Sequence, residues 1–247
     1  MVSIQETGFD KIASRYDALW SDTAVGKAQR LAVWSRVDRL FNKGDFVLDL
    51  GCGTGLDALH FRSRGVCVYG VDSSPEMVQI ARRRGIEASC CAIQHMQYSD
   101  ALVDGVISNF GALNCLDSLS SIATSLGRMV RSGGHLALCF LSKVCVWEVA
   151  YYLFSGKLGK AFRRLRASAD SSIGEVFYPS SAEITSAFRG DFRLIESCGI
   201  GLCVPPSYVK FLTGWQIEKL SLLDQHLMHM SVLRALADHR LYIFERK

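Results

Sequence analysis

The segment from Val47 to Ser73, VLDLGCGTGLDALHFRSRGVCVYGVDS, constrains the fold more than any other part of this chain. It contains two short apolar runs that are separated by a glycine-rich turn and a helix-length stretch, a pattern typical of a strand, a crossover helix and a second strand. Asp49 and Asp72 stand near the ends of the two runs. A simple strand-to-helix turn needs one glycine, so the three alternating glycines of GCGTG indicate a backbone that approaches a ligand.

The same alternation of strand and helix patterns continues along the chain. The predicted strands are Phe46–Leu50, Val66–Val71, Ala88–Ala92, Gly105–Ser108, His135–Leu141, Phe192–Gly199 and Leu241–Glu245. The predicted crossover helices are Leu56–Ser63, Pro75–Arg84 and Leu119–Val130. We therefore expect an α/β fold with seven strands in a mostly parallel, doubly wound sheet, and ligands at the carboxyl ends of the strands.

Composition narrows the class of protein further. The 247 residues, of which 49% are apolar, suit one domain over 1–247. The 28 basic and 24 acidic residues give a net charge of +4, which is too small to indicate nucleic acid. Nine cysteines without a CxxC pair, and an amino-terminal sequence without a secretion signal, predict reduced thiols in the cytoplasm. No spacing of ligands predicts a metal site.

The glycine spacing and the two acids indicate the kind of ligand. A dinucleotide turn has the spacing GxGxxG, whereas this turn has GxGxG. Asp49, just before the turn, would repel a diphosphate but suits an ammonium group. Asp72, at the end of the second run, is placed to accept hydrogen bonds from two ribose hydroxyls. Together these features predict a nucleoside with a cationic, amino-acid-like end.

At this point the sequence resembles a known family. VLDLGCGTG and VYGVDSSPEM are similar to motifs I and II of the class I S-adenosylmethionine-dependent methyltransferases. DGVISNFGALNCL resembles the fourth-strand motif of the small-molecule enzymes related to quinone biosynthesis, and the resemblance covers roughly residues 9–141. It implies that S-adenosylmethionine is the cofactor and that the last strand runs antiparallel beside the sixth. It implies cofactor contacts from Asp49, Gly51, Cys52, Gly53, Asp72, Ser73, Met77, Ala92, Ile93 and Asn109.

The chain departs from that family at the adenine contact. Relatives often carry an acid after the third strand, where this chain has Cys91. Adenine would then be read by the backbone near Ala92 and Ile93, or by Gln94. Met77 falls where the family often packs an apolar side chain by the adenine, and a role in the helix core is the alternative.

Three residues are candidates for the chemistry on the acceptor. Asn109 follows the fourth strand and would face the methyl end of the cofactor, with a turn or capping role as the alternative. His95 is a candidate base, with a solvated loop histidine as the alternative. Tyr16 shares a helical face with Trp20, in a predicted amino-terminal helical cap over 1–40 that would act either as a lid or as core.

Residues 143–178 form a predicted helical insert between the fifth and sixth strands. Five basic residues lie within ten positions there, beside aromatic residues: Lys157, Lys160, Arg163, Arg164 and Arg166. This pattern suits an anionic or lipid-like acceptor or a membrane surface, and a solvated helix face is the alternative. Nothing in the sequence indicates the oligomeric state.

The sequence leaves three functions open. The first is methyl transfer to a small molecule, with oxygen favoured over carbon or nitrogen as the accepting atom. The second is a non-catalytic module that binds S-adenosylmethionine, since no obligatory base is visible. The third is a nicotinamide-dependent reductase, against which the glycine spacing and Asp49 argue.

Overall fold

The central sheet has the predicted architecture. A computed structural model describes residues 8–96, 102–171 and 174–247, so residues 1–7 of the predicted cap and 172–173 of the predicted insert lie outside the described part. The seven strands of the sheet are β1 Phe46–Leu50, β2 Cys67–Asp72, β3 Glu87–Cys90, β4 Val103–Ser108, β5 Val130–Leu141, β8 Phe192–Ile200 and β9 His239–Arg246. Their order across the sheet is β3-β2-β1-β4-β5-β9-β8.

Helices cover both faces of this sheet. They are α1 Ala24–Val37, α2 Leu56–Ser63, α3 Pro75–Arg83, α4 Ser120–Met129, α7 Ser181–Phe188 and α8 Gly214–Leu227. One apolar core packs Val33, Phe61 and Ala81 of α1, α2 and α3 against the sheet. A second core, on the other face, packs Leu126 of α4 and Phe188 of α7. Burial of both faces explains why the strands are almost continuously apolar.

The last strand runs antiparallel, as the family resemblance implied. β9 pairs antiparallel with both β5 and β8, so it lies between these two strands in the sheet. Leu141, at the carboxyl end of β5, is paired with His239, at the start of β9. This pairing brings the start of β9 to the sheet edge where β1, β2 and β4 end. β5 begins at Val130 rather than at the predicted His135, because the pairing with β4 continues through a register shift.

The insert between β5 and β8 contains helices, as predicted, and also a short β-hairpin that the sequence did not predict. Two helices, α5 Val146–Phe154 and α6 Leu158–Ala161, are followed by a hairpin of β6 Ser168–Ser171 and β7 Gly174–Phe177. Asn114 fixes this hairpin to the sheet: its side-chain amide donates to the Phe177 carbonyl at 2.7 Å, and its Oδ1 accepts from Leu141 N at 2.9 Å. Aromatic spacing predicted the helices but gives no signal for so short a hairpin.

Two of the five basic residues in the insert are not free to bind an anion. Arg163 Nε donates to Glu148 Oε1 at 2.8 Å, and Arg164 Nη2 donates to Glu148 Oε2 at 2.8 Å. Arg164 also pairs with Asp238, and the side chains of Arg164, Glu148 and Asp238 are all buried. Neither acid lies within the basic run itself. Glu148, on α5, is 15 positions before Arg163, and Asp238 is 74 positions after Arg164. Lys157, Lys160 and Arg166 are exposed.

Three further observations concern the described residues. No helix among them has both the length and the apolar character needed to cross a bilayer. No three His, Cys, Asp or Glu side chains there are grouped as metal ligands would be. All nine cysteines lie in the described part of the chain, and each is a free thiol.

Candidate active site

A cavity opens at the carboxyl ends of β1, β2 and β4, where the fold predicts ligand binding. It is lined by Phe9, Tyr16, Gly51, Gly53, Asp72, Ser73, Met77, Ala92, Ile93, Gln94, Asn109, Phe110, Ala112, Cys115 and Leu116. The list includes ten of the residues expected from sequence to serve the cofactor or the chemistry. Ala92, Ile93 and Gln94 are on one wall, which is the wall assigned to adenine in the absence of an acid.

The glycine turn leaves room along one side of the cavity. Gly51 and Gly53 have left-handed backbone angles, with φ of 75° and 52°. A Cβ on Gly51 would lie 2.2 Å from Cβ of Ala112, so no side chain fits there. A Cβ on Gly53 would meet nothing within 4 Å and would instead project into space at the cavity wall. The turn is therefore a backbone cradle that a side chain would fill.

Asp72 ties the turn to the end of β2. Its Oδ2 accepts from Gly53 N at 2.8 Å and its Oδ1 accepts from Ser74 N at 2.9 Å. Burial raises the pKa of Asp72, although the N–H groups of Ser74 and Gly53 oppose that rise. Each carboxylate oxygen keeps further acceptor capacity, because one oxygen can accept two hydrogen bonds. The carboxylate can thus accept from two vicinal hydroxyls at the cavity wall.

Asp49 lies behind the glycine turn rather than in the cavity wall. It is 1% exposed, and its Oδ2 has no hydrogen-bond partner. Burial raises its pKa well above the usual value, Asp57 raises it further, and Arg30 opposes both. Asp57 is already paired with Arg30, at 2.5 Å between Oδ2 and Nη1. A negative charge on Asp49 is therefore poorly compensated behind the turn, and a cationic ligand in front of the turn would stabilise that charge.

Asn109 and Phe110 form the wall that follows β4. Asn109 is 8% exposed, and its Oδ1 lacks a partner. Phe110 has φ of 54°, a left-handed conformation that is uncommon for a bulky residue. Its ring contacts Trp20 edge to face at 4.5 Å between centroids, and the Arg30 guanidinium lies 5.1 Å from its centre. Local strain of this kind is concentrated at functional sites.

The amino-terminal segment covers the cavity, and two acids fix it there. Thr54 Oγ1, in the glycine turn, donates to Asp17 Oδ1 at 2.8 Å, and Arg84 of the α3 end pairs with the same carboxylate. Ser74 donates to Asp10, which lies next to Phe9. Tyr16 is held over the cavity between these two contacts. Burial raises the pKa of Tyr16 to about 12, so it is a neutral phenol near pH 7 and unsuited to act as a base.

Besides Asp49, two residues that were expected in the site do not line the cavity. His95 is exposed and lines a separate cavity with Phe46 and Tyr69. It ends the 3₁₀ turn Ile93–His95, in which successive side chains point about 120° apart, so Ile93 faces the cofactor cavity and His95 does not. We therefore withdraw His95 as a base. Cys52 is buried under the glycine turn, where its Sγ packs against Gly70.

The sequence reasoning missed four lining residues: Phe9, Ala112, Cys115 and Leu116. Three of them belong to, or follow, the 3₁₀ turn Ala112–Cys115, which comes shortly after β4. Their position after a strand that ends at the site was a usable signal. Phe9 has no such signal, because its place depends on how the amino-terminal segment folds back over the sheet.

The donors, acceptors and space of this cavity fit S-adenosylmethionine. The bare backbone at Gly53, the carboxylate of Asp72 and the residue Asn109 all line one space. Asp49 supplies negative potential through the turn without occupying that space. A diphosphate would meet the same potential as repulsion. The residues present therefore suit a nucleoside that carries positive charge.

Comparison with known proteins agrees with this geometry. A family model described as a methyltransferase domain matches residues 48–138. The chain is 33% identical over 147 residues to a demethylmenaquinone methyltransferase from Thermobifida fusca, an alignment that covers 56% of this chain and 61% of that protein. It is 28% identical to a ubiquinone biosynthesis O-methyltransferase from Xanthomonas oryzae, over 57% of this chain and 63% of that protein. The chain thus spans about three fifths of these two relatives.

Among solved structures, the CcbJ methyltransferase from Streptomyces caelestis superposes with a TM-score of 0.64 over 98% of both chains, at 16% identity. At that identity the superposition supports the fold alone. The fold and the methyltransferase-domain match over the glycine turn, together with the relatives above, lead to one conclusion. Residues 48–138 of the chain form a methyltransferase domain with the fold of solved methyltransferases, and S-adenosylmethionine is its cofactor.

Proposed function

We propose that this protein transfers a methyl group to the oxygen of a hydroxylated small molecule of the quinone-precursor kind. The observation that carries the proposal is the cavity that Gly53, Asp72 and Asn109 line together with the aromatic residues Phe9, Tyr16 and Phe110. The acceptor class comes from two relatives, whose names are demethylmenaquinone methyltransferase and ubiquinone biosynthesis O-methyltransferase.

In this proposal the residues of the chain bind, orient and exclude water. S-adenosylmethionine, when bound, supplies an electrophilic methyl group on a positively charged sulfur. Asp72 accepts hydrogen bonds from the ribose, and Asp49 favours the charged amino-acid end through the turn. Asn109 Oδ1 orients the polar groups near the methyl end. Tyr16 and Phe110 keep water away, so that alignment of the acceptor accounts for most of the rate.

Two other functions are weighed against this one. A nicotinamide-dependent reductase is disfavoured, because the unpaired carboxyl of Asp49 stands behind the turn that would have to hold a diphosphate. A non-catalytic module that binds S-adenosylmethionine has the same cavity and differs only in lacking turnover. Catalysis therefore has to be measured directly.

The test is a pair of measurements on the purified protein. Calorimetric titration should give binding of S-adenosylmethionine and S-adenosylhomocysteine in the micromolar range, and no binding of NADH. Methyl-tritiated cofactor should then label catechol on oxygen. Label on the ring carbon of 1,4-naphthohydroquinone instead would change the accepting atom to carbon. Binding without transfer to either probe would favour the non-catalytic module, and binding of NADH alone would overturn the proposal.

We further propose that the acceptor is lipid-like and is taken up at a membrane surface. The insert surface, as we name it, combines exposed apolar side chains with exposed basic ones: Leu153, Phe154, Leu158, Phe162, Leu165, Lys157, Lys160 and Arg166. Phe154 is 94% exposed, which is unusual for an aromatic residue. Apolar groups beside lysines suit the boundary of an anionic bilayer. The protein itself is proposed to reside in the cytoplasm, in line with its nine free thiols.

Replacement of apolar residues by glutamate in the insert surface tests this second proposal. Phe154→Glu combined with Leu158→Glu should weaken binding to phosphatidylglycerol-containing vesicles by about tenfold or more. Two exposed apolar side chains that would insert into the bilayer are replaced by negative charges, which the anionic lipid headgroups repel. Sedimentation with vesicles measures the effect. Leu31→Glu is the matched control, since Leu31 is 57% exposed on α1 and belongs to a different surface. Equal vesicle binding by the double variant and the control would contradict the proposal.

A further inference from the structure

His239 is a buried histidine beside the cofactor cavity to which no role has yet been given. It is the first residue of β9, is 5% exposed and is paired with Leu141 and Ile200 at the carboxyl edge of the sheet. Its ring packs on the Phe110 ring at 88°, with 5.5 Å between the centroids. Phe110 lines the cofactor cavity, so a single aromatic ring separates His239 from it.

Asp238 holds the imidazole from one side. His239 Nδ1 lies 3.3 Å from Asp238 Oδ2. The carboxylate is itself fixed by Arg164 Nη2, which donates at 2.8 Å, and by Gln29 Nε2, which donates at 3.2 Å. A carboxylate at Nδ1 favours the tautomer with its proton on Nδ1, which leaves the lone pair of Nε2 for another partner.

The surroundings of this pair contain several buried polar atoms without partners. They are Gln29 Oε1, Ser142 Oγ, Arg164 Nε and His239 Nδ1, the last for want of good hydrogen-bond geometry towards Asp238. Three of these residues connect to Asp238: Gln29 and Arg164 donate to it, and Ser142 N donates to its carbonyl at 3.0 Å. Buried polar atoms in native proteins normally have partners, so a group of exceptions indicates a polar ligand.

Phe110 lies between the buried polar group around His239 and the cofactor cavity. Among the described residues it is the one non-glycine residue with a positive φ. Its ring is in contact with both Trp20 and His239, and it also forms part of the cavity wall. A rotation of this side chain would join the polar group around His239 to the cofactor cavity beside Asn109.

We propose that His239, positioned by Asp238, is the general base for a phenolic acceptor whose hydroxyl enters the polar group behind Phe110. The inference rests on the proposed function. The acceptor hydroxyl gives its proton to Nε2 of neutral His239, and its oxygen uses an electron pair to bond the methyl carbon. The carbon–sulfur bond breaks with its electron pair left on sulfur, which becomes neutral. The proton then passes from His239 to solvent.

Burial, assisted by Arg164, favours the neutral form of His239 that a base requires. Burial lowers the pKa of His239, Asp238 opposes that change and Arg164 adds to it. Arg30 lies over the same Phe110 ring, and Glu148 is paired with Arg164. The imidazole is therefore free to accept a proton near pH 7, and activity should fall as the pH drops through its pKa.

The first test separates binding from turnover. His239→Gln should leave the affinity for S-adenosylmethionine within about twofold and lower kcat for catechol by about 100- to 10,000-fold, the usual contribution of a general base. The fall in rate at acidic pH should also be lost. His135→Gln is the matched control, because His135 lies in the middle of β5 and is paired with Glu245, six positions along β9 from His239. A His239→Gln enzyme with an unchanged rate and pH profile would overturn the proposal.

The second test does not depend on turnover. Catechol titrated into the wild-type complex with S-adenosylhomocysteine should shift the Nε2 resonance of the histidine whose ring is near Phe110, and should leave that of His135 in place. If wild type methylates neither catechol nor naphthohydroquinone, the proposed function fails while this shift still reports on the site. If His239→Gln does not fold, the wild-type titration decides alone. The absence of a shift at saturating catechol would overturn the assignment of His239.

Discussion

Replacement of Glu148 by alanine is expected to destabilise the folded protein by about 3–5 kcal/mol, the range found when one partner of a buried ion pair is removed. Glu148 is 1% exposed. Its carboxylate accepts from Arg163 Nε and Nη2, from Arg164 Nη2 and from the Tyr208 hydroxyl, at 2.7 to 3.0 Å. Without it, the partly buried Arg163 loses its carboxylate partner and Arg164 keeps only Asp238.

Urea unfolding of the variant and of wild type measures this effect. Glu245→Ala is the matched control, because Glu245 pairs with a single exposed arginine, Arg193, at the far end of β9. The control should leave the urea midpoint nearly unchanged. A midpoint for Glu148→Ala equal to that of the control would show that the cluster does not hold the insert to the sheet.

The same cluster should make stability depend on pH. Burial alone would raise the pKa of Glu148, but Arg163, Arg164 and Tyr208 outweigh it and hold the pKa below the usual 4.5. A lowered folded pKa means that the stabilisation is fully present above about pH 4.5 and is lost as the pH falls through the folded value. The difference in unfolding free energy between wild type and Glu148→Ala should therefore shrink in acid.

The sheet and the glycine turn could be predicted from sequence because their signals are local. β1 and α2 have the predicted bounds, and Asp72 and Asn109 lie at the cavity because residues that end parallel strands meet at one edge. Asp49 precedes the same turn but faces the buried side, towards Arg30, so it acts through the backbone.

The parts that could not be predicted depend on contacts between distant segments. Arg164 looked like a free cation because its partner Asp238 is 74 positions away in sequence. His239 looked like the start of an ordinary strand, and only the pairing of β9 with β5 brings it next to Phe110. His95 failed for the opposite reason. It is close to the site in sequence, but its turn directs the side chain into another cavity.

Replacement of Asp72 by alanine is expected to raise the dissociation constant for S-adenosylmethionine about 10- to 150-fold, which corresponds to roughly 1.5–3 kcal/mol for hydrogen bonds to a charged group. The carboxylate is the proposed acceptor for the ribose hydroxyls, and it also orients the N–H groups of Gly53 and Ser74 at the cavity. Calorimetry should show the same loss for S-adenosylhomocysteine, which has the same ribose.

Asp117→Ala is the matched control for this variant. Asp117 is an exposed acid after β4 that does not line the cofactor cavity, so its loss should leave the affinity within about twofold. Circular dichroism and thermal unfolding without ligand establish that both variants are folded. Unchanged affinity in a folded Asp72→Ala protein would remove Asp72 from the ribose site.

The pH dependence of binding separates a ribose contact from a purely structural role for Asp72. Because burial raises the pKa of Asp72 above 3.8, the carboxylate begins to protonate at a higher pH than a solvated aspartate would. A protonated carboxyl is a weaker acceptor, so the wild-type affinity for S-adenosylmethionine should fall as the pH is lowered, and should fall less in Asp72→Ala. A carboxylate whose pKa is raised by burial destabilises the folded protein at neutral pH, where the group is charged. Its presence at the cavity wall is therefore better explained by the ligand than by the fold.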